Sequence, residues 1–396
     1  MNPVRNPFVP GAGTQPPELS GREDLLERAG VALQRVKLGR SAKSFIAVGL
    51  RGVGKTALLN RIRRMADEAG FHSLAIEAHE QKPLPDLLVP HLRRLLLELD
   101  RLGALNETVK RSLRIFASFM SSIKLKLGDA ELALDIDPET GAADSGDLEA
   151  DLPELFACVG RAARARNLAV VLLIDEIQYL PERDMGALIM SMHRIAQDGL
   201  PVLLVAAGLP QVVGLSGRSK SYAERLFDFP LVDALSWEET VRALEGPARA
   251  EPVEFEHAAL VTIYDITQGY PYFLQEWGHH VWNVAPHSPI TARDVAHAMP
   301  RALARLDESF FRVRFDRLTP KERRYVRAMA KLGPGPYRSG DIAATLEMNV
   351  TALGPLRNRL ILKGMIYSPA HGDTAFTVPL FDQFIRRAMP EFDIRE

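Results

Sequence analysis

The chain has 396 residues, a formal net charge of -1, 46% hydrophobic and 25% charged residues, which is too long for a single core and ordinary for a globular protein of two or three domains. One cysteine, Cys158, excludes a disulfide framework, and the ten histidines form neither an HExxH nor a Cys/His cluster, which argues against a protein-built zinc site. The near-zero charge leaves nucleic-acid binding only to a local patch, and no apolar run nears the roughly 18 residues of a membrane span.

Residues 1–18 are rich in Pro and Gly and read as an extended surface segment. Ser20 and Glu23 have capping-box spacing and predict a first helix over 20–36. The apolar run 45–48 then leads into Gly49, Leu50, Arg51, Gly52, Val53, Gly54, Lys55 and Thr56, followed by a helical run from Ala57. Strand, glycine-rich turn and helix in this order make a phosphate-binding loop. Its backbone from Gly49 to Ala57 curls so that successive N–H groups face a phosphate at a positive helix end. Lys55 is expected to reach the β- and γ-phosphates, and the Thr56 hydroxyl to hold Mg²⁺.

A strand at 72–77 and an amphipathic helix at 84–102 follow. Residues 105–150 interrupt the β/α alternation and read as an insertion, with alternating runs at 123–127 and 131–136 predicting a hairpin and 137–146 a polar, mobile loop. A helix at 152–166 precedes the run 170–174, whose unbroken Val, Leu and Ile residues predict a strand buried on both faces. It ends in Asp175 and Glu176. The first suits Mg²⁺ through its water shell, and the second suits the orientation and deprotonation of an attacking water. A helix near 184–197, a strand at 201–207 and a helical region at 236–315 complete the middle of the chain. Cys158 lies in an apolar helical stretch and reads as a buried, inert thiol.

Residues 317–390 predict three helices and a hairpin, the plan of a winged helix. Thr319 caps the first helix, the second covers 338–346, and the third carries Arg357, Asn358, Arg359 and Lys363. Strands at 365–368 and 374–378 flank a wing tip at 369–373. The four polar residues of the third helix suit phosphate or base-edge contacts to DNA. The alternative is a protein–protein module, since the helix carries only three cations and Asp373 sits at the wing tip.

Taken together, these motifs resemble those of prokaryotic AAA+/STAND-type P-loop ATPases, close to the origin-recognition, helicase-loader and archaeal-type ATPase clade with a C-terminal winged helix. The motifs are residues 17–23, 173–178, 207–210, 222–227 and 269–271. The resemblance implies an α/β P-loop core with a parallel sheet over 19–235, an α-helical lid over 236–316 and a winged-helix domain over 317–396. It implies ATP/ADP with Mg²⁺ as cofactors; preference for ATP over GTP rests on it, and no guanine-reading Asn-Lys-x-Asp motif is present. Gly21 and Arg22 correspond to the segment over the adenine, and Pro271 to the Gly-x-Pro of the lid. Arg225 corresponds to an arginine finger, with Arg218 as a second candidate; the alternative is pairing of Arg225 with Glu224 or Asp228 in its own chain.

Two departures stand out: Ala206, Ala207 and Gly208 occupy the sensor-1 position without a polar side chain, and aromatics at 270–273 replace a sensor-2 arginine. Both imply slow turnover, as in a switch. The aromatics serve either as lid core or, through Tyr270 and Pro271, as a nucleotide sensor. The expected function is a cytoplasmic, ATP-dependent DNA-binding switch that loads or recruits a protein partner, with a nucleotide-dependent homo-oligomer if a finger acts in trans and no membrane association. The alternative is a STAND-like signalling or scaffold ATPase whose winged helix mediates autoinhibition or protein contacts.

Overall fold

The computed structural model describes residues 1–11, 13, 16–101, 106–122 and 136–391. They form two compact units. One comprises Arg22–Gly49 and Lys55–Val232; the other comprises Met1–Gly21, Leu50–Gly54 and Asp233–Glu396. The phosphate loop therefore starts and ends in the first unit, while its middle clusters with the second.

The first unit is built on a parallel sheet of five strands: β1 (Ser44–Val48), β2 (Phe71–Glu77), β3 (Ala169–Asp175), β4 (Val202–Gly208) and β5 (Phe227–Asp228). Their order is β2-β3-β4-β1-β5, with every pairing parallel. β1 and β4 are buried along their whole length and β3 along all but its last residue. That accounts for their unbroken apolar sequences, because helices cover both faces. Among these helices are α1 (Glu23–Lys37), α2 (Lys55–Glu68), α3 (Leu84–Arg101) and α4 (Glu107–Ser122), followed by Leu148–Ala165, Glu182–Gln197 and Gln211–Ser219. Because β4 lies between β1 and β3, the carboxyl ends of three strands converge on one edge of the unit, the usual place for a ligand in open α/β sheets.

Several local expectations need correction. Helix α1 begins at Glu23 with no side-chain cap, so the predicted Ser20 capping box does not form. The insertion contains α4, whose apolar face is buried through Val109, Leu113, Phe116 and Phe119. Residues 123–135, which hold most of the predicted hairpin, lie outside the described residues. The polar loop before Leu148 is tied down: the Asp151 carboxylate accepts from the Ser145 amide and hydroxyl and from the Gly146 amide. Cys158 is free and buried.

In the second unit, four helices form the lid: Trp237–Ala250, His257–Thr267, Pro271–Val284 and Ala292–Leu306. Reciprocal capping boxes start the first and the last, at Ser236/Glu239 and Thr291/Asp294. The N-terminal segment is not simply laid on the surface. Phe8 is 1% exposed and meets Phe255 and Trp282 edge-on, while the Trp282 indole donates to the Asn2 carbonyl.

The C-terminal part is winged-helix-like. Helices Pro320–Lys331, Ser339–Thr345 and Val350–Leu362 accompany a three-stranded antiparallel sheet in the order β6-β8-β7: β6 (Tyr337–Arg338) lies between the first two helices, and β7 (Ile366–Tyr367) and β8 (Asp373–Phe376) follow the third. The two-residue β6 and a closing helix, Phe381–Ala388, are additions to the expected plan. That helix buries Phe381 and Phe384 against Phe311, with stacked rings 5.9 and 5.3 Å apart.

Gly269 joins two lid helices with φ +69°, and a Cβ there would lie 2.1 Å from the Leu235 carbonyl oxygen. Leu235 donates its own N–H to the Gly269 carbonyl at 2.8 Å, so the two backbones cannot separate to admit a side chain. Gly269→Ala is expected to destabilise the protein by about 2–4 kcal/mol through backbone strain and overlap, readable as a lowered calorimetric midpoint. An unchanged midpoint would show that this crossing can relax.

Candidate functional site

The phosphate loop follows β1, and α2 begins at Lys55. Gly52 and Gly54 have φ of +85° and +89°, values that side chains disfavour and that let this backbone turn. Lys55 is 7% exposed, and its ammonium donates to the Gly49 carbonyl at 2.9 Å. The Thr56 hydroxyl donates to Asp175 Oδ2 at 2.6 Å, and the Glu176 amide donates to Asp175 Oδ1 at 2.8 Å. Burial raises the Asp175 carboxyl above its ordinary range, against the opposing effect of the Thr56 bond.

Glu176 adopts a left-handed conformation, φ 51° and ψ 35°, ahead of the 3₁₀ turn Ile177–Tyr179. A non-glycine residue held there stores on the order of 1–3 kcal/mol, and such strain concentrates at functional sites. Its carboxylate accepts a short hydrogen bond from the Gln178 side-chain amide. The Gln178 oxygen in turn accepts from the Leu209 N–H at 2.9 Å, just past the end of β4. Sequence alone assigns Gln178 no role, and the only signal for one is its place two residues after Glu176.

These residues suit a nucleoside triphosphate with Mg²⁺. A buried ammonium stands at the start of α2, bonded to the Gly49 carbonyl, beside the helix-start amides that favour an anion. Thr56 and Asp175 offer adjacent hard oxygens of the kind Mg²⁺ takes. Bound Mg²⁺ would neutralise charge on the transferring phosphate. In that arrangement Lys55 would bind phosphate, Thr56 and Asp175 would hold the cation, and Glu176 would orient and deprotonate water. No group of three or more His, Cys, Asp or Glu residues capable of holding a metal alone occurs among the described residues.

The middle of the loop has its own partners. The Gly52 carbonyl accepts the Tyr272 N–H at 3.1 Å. A Cβ at Gly52 would come within 3.3 Å of Tyr272 Cβ and 3.7 Å of Phe310. Tyr272 stacks on Phe310 at 4.5 Å, and burial together with Glu276 pushes the pKa of its phenol up to about 12. Pro271 occupies the first turn of this lid helix. The Arg51 amide donates to the Thr377 carbonyl at 3.1 Å, and the Arg51 guanidinium Nε to the Gly364 carbonyl at 3.3 Å. The aromatics are lid core through the fully buried Phe273 and Trp277, and Tyr272 lies against Gly52.

The remaining candidates divide. Gly21 has φ +71°, with the Glu239 carboxylate closely overlying it. Arg22, in the other unit, is 7% exposed. Arg225 is exposed on the short helix Ala223–Leu226; of its two expected partners, Glu224 and Asp228, the second pairs with Lys43 at 2.6 Å. Arg218 lies 3.8 Å from Glu182. In the winged-helix-like part, Arg357 braces the wing through Thr374, Ser368 and the Asp373 carbonyl. Lys363 pairs at 2.7 Å with Glu322, which is itself 1% exposed. Arg359 lies 3.8 Å from the same carboxylate but remains 57% exposed, and Asn358 is exposed.

Residues 18–205 match the family described as AAA ATPase domain, and residues 308–385 match a domain of unknown function, DUF8462. No curated protein matches the chain. Among solved structures, the chain is similar to the Walker-type ATPase Paby2304 of Pyrococcus abyssi, with TM-score 0.57, 19% identity, and 96% of this chain and 99% of that one covered. It is less similar to Aeropyrum pernix Orc1 in complex with DNA, with TM-score 0.49, 14% identity, and 97% and 96% covered. The RuvB Holliday junction branch migration motor of Thermotoga maritima gives TM-score 0.46, 17% identity, and 93% and 94% covered. The family match thus places an AAA ATPase domain over residues 18–205, and the likeness to solved structures shows a P-loop α/β fold. Among the described residues no helix is long and apolar enough to cross a membrane.

Burial raises the folded-state Asp175 carboxyl above its unfolded value, so the folded protein holds that proton more tightly. Stability of the nucleotide-free protein therefore falls as pH rises from the ordinary carboxylate value to the raised one, and stays reduced above it. Asp175→Asn removes this effect; its oxygen can still accept the Glu176 N–H, and the Thr56 bond survives only reversed, with the amide NH₂ donating to the hydroxyl. The variant should melt higher than the parent near neutral pH without nucleotide, the gap closing in acid, and its Mg²⁺-dependent nucleotide affinity should drop. A variant that melts lower at every pH would show that the ionised carboxylate stabilises the fold.

Proposed function

We propose that the chain is an ATP-binding, slowly hydrolysing molecular switch whose winged-helix-like domain binds DNA and whose output is the loading or recruitment of a protein partner. The observation that carries the switch is the attachment of the phosphate loop: Arg51 donates both its amide and its guanidinium to carbonyls of the C-terminal part, Thr377 and Gly364. A loop that rearranges around a γ-phosphate then alters a hydrogen bond in the output domain directly. Slow turnover is supported by the apolar end of β4, where Ala206, Ala207 and Gly208 offer no polar side chain. An exposed Arg225 whose candidate partner Asp228 is occupied by Lys43 supports a finger acting on a neighbouring copy.

DNA contact is supported by the three-helix-plus-wing plan and by exposed Asn358 and Arg359 on the third helix. Arg357 and Lys363 stabilise that domain internally, so the proposed phosphate and base contacts centre on Asn358 and Arg359. A second reading is favoured by the same Arg51 bonds. In it, the winged-helix-like domain holds the phosphate loop in a resting state, and the output passes to a protein.

The deciding measurement is fluorescence anisotropy of a labelled random duplex without nucleotide, with ADP and with ATP, at low and physiological salt. DNA binding predicts affinity that depends on nucleotide and falls with salt. Arg359→Ala should lower the log–log salt slope by about one if its guanidinium neutralises one phosphate. Absence of binding in every state, with nucleotide bound, would favour the resting-state reading. Lys55→Ala should abolish nucleotide binding in both; retained affinity would overturn the core they share.

A further inference from the structure

We infer that Gln178 is a positioning residue of the ATPase reaction: it orients the Glu176 carboxylate and ties it to the end of β4, the place where a polar β4 side chain is missing. The inference rests on the ATPase reading and concerns how its water-activating group is held.

Four observations converge. The Gln178 side chain is 9% exposed and bonded at both ends, its nitrogen to Glu176 and its oxygen to the Leu209 N–H at 2.9 Å. The partners fix which end is which, since a backbone N–H meets only the oxygen and a carboxylate meets only the NH₂. Side chains two apart do not face each other on a regular helix. Here the left-handed Glu176, followed by the 3₁₀ turn, brings residues 176 and 178 together, so the strained backbone serves this contact.

Gly208 supplies the space. A Cβ on it would lie 2.9 Å from the Gln178 oxygen and 3.0 Å from Ile177 Cγ2, so any β4 side chain at this position displaces the amide. The bare glycine and the glutamine are therefore complementary: the polar contact to Glu176 comes from the turn after β3 instead of from β4. The Gly208 carbonyl also accepts the Gly49 N–H at 3.1 Å. Glu176, Gln178, the Gly208–Leu209 backbone and the first glycine of the phosphate loop thus form one connected path.

A purely structural amide would join two backbone groups and affect folding alone. An amide clamped on the general base affects the chemical step. A carboxylate freed to rotate away from its water loses catalysis steeply, because displacements near 1 Å cost on the order of 100-fold.

The test is steady-state ATP hydrolysis by the full chain, with affinity for a fluorescent ATP analogue (mant-ATP) and a thermal melt measured in parallel. Gln178→Glu preserves shape and the acceptor for Leu209 but turns the donor facing Glu176 into a second carboxylate. We expect kcat to fall about 10- to 100-fold while KM and mant-ATP affinity stay within about threefold. Gln178→Ala should lower kcat similarly, and the isosteric Gln178→Glu keeps the test valid if the alanine variant unfolds. Turnover of Gln178→Glu within twofold of the parent would overturn the inference while leaving the ATPase reading intact. So would a drop in nucleotide affinity parallel to the drop in kcat. A parent protein that binds mant-ATP and never hydrolyses ATP would overturn the ATPase reading, and this inference with it.

Discussion

The Asp175 carboxylate at the end of β3 receives the Thr56 hydroxyl from the start of α2 and the Glu176 amide from its own strand end. A carboxylate in this position is disfavoured by burial, which raises its proton affinity, and two donors offset that cost. The bond fixes the first turn of α2 against the sheet, and with it the orientation of Lys55 and of the amides beyond it. Lys55, Thr56, Asp175 and Glu176 converge because only β4 stands between β1 and β3, which lie two strand spacings apart. The chemistry of the site is a consequence of that strand order.

A second constraint lies in the loop's middle. Gly52 has no side chain and a positive φ, so the backbone of Tyr272 can approach and donate to its carbonyl. The next residue back, Arg51, donates to the C-terminal part. Backbone polar groups of a phosphate loop are strong hydrogen-bonding groups that must be satisfied by something. Here the lid and the winged-helix-like domain satisfy part of that demand. The proposed switch rests on this sharing, because the same residue belongs to the loop and bonds to the C-terminal part.

The strain and polarity around Glu176 follow the same economy of contacts. The end of β4 is apolar and buried, and the Gln178 amide from the neighbouring turn lies beside it, bonded to Glu176 and to the Leu209 N–H. The candidate DNA helix shows the opposite outcome. Two of its cations are committed to its own domain, Arg357 to the wing and Lys363 to the buried Glu322, which caps the helix Pro320–Lys331 as well. Charge counted along a helix is therefore a poor measure of charge offered to a partner.

Contiguous signals were readable from the amino-acid sequence. The phosphate loop, the buried β3 with its terminal carboxylates, the lid helices and the three-helix-plus-hairpin order all depend on local periodicity, turn chemistry or a fixed spacing. Short or context-made elements were not. β6 has two residues and no periodicity, the Ser20 box had the right spacing without forming a cap, and Phe8 is buried by lid residues more than 240 positions away in sequence. The role of Gln178 needed Gly208 beside it, and the role of Arg51 needed Thr377. Sequence by itself determined which residues are candidates for phosphate and cation chemistry, because one uninterrupted stretch supplies the loop and one strand end supplies the acids. Only the tertiary structure decided what holds them, because those partners come from distant segments joined by packing rather than by spacing.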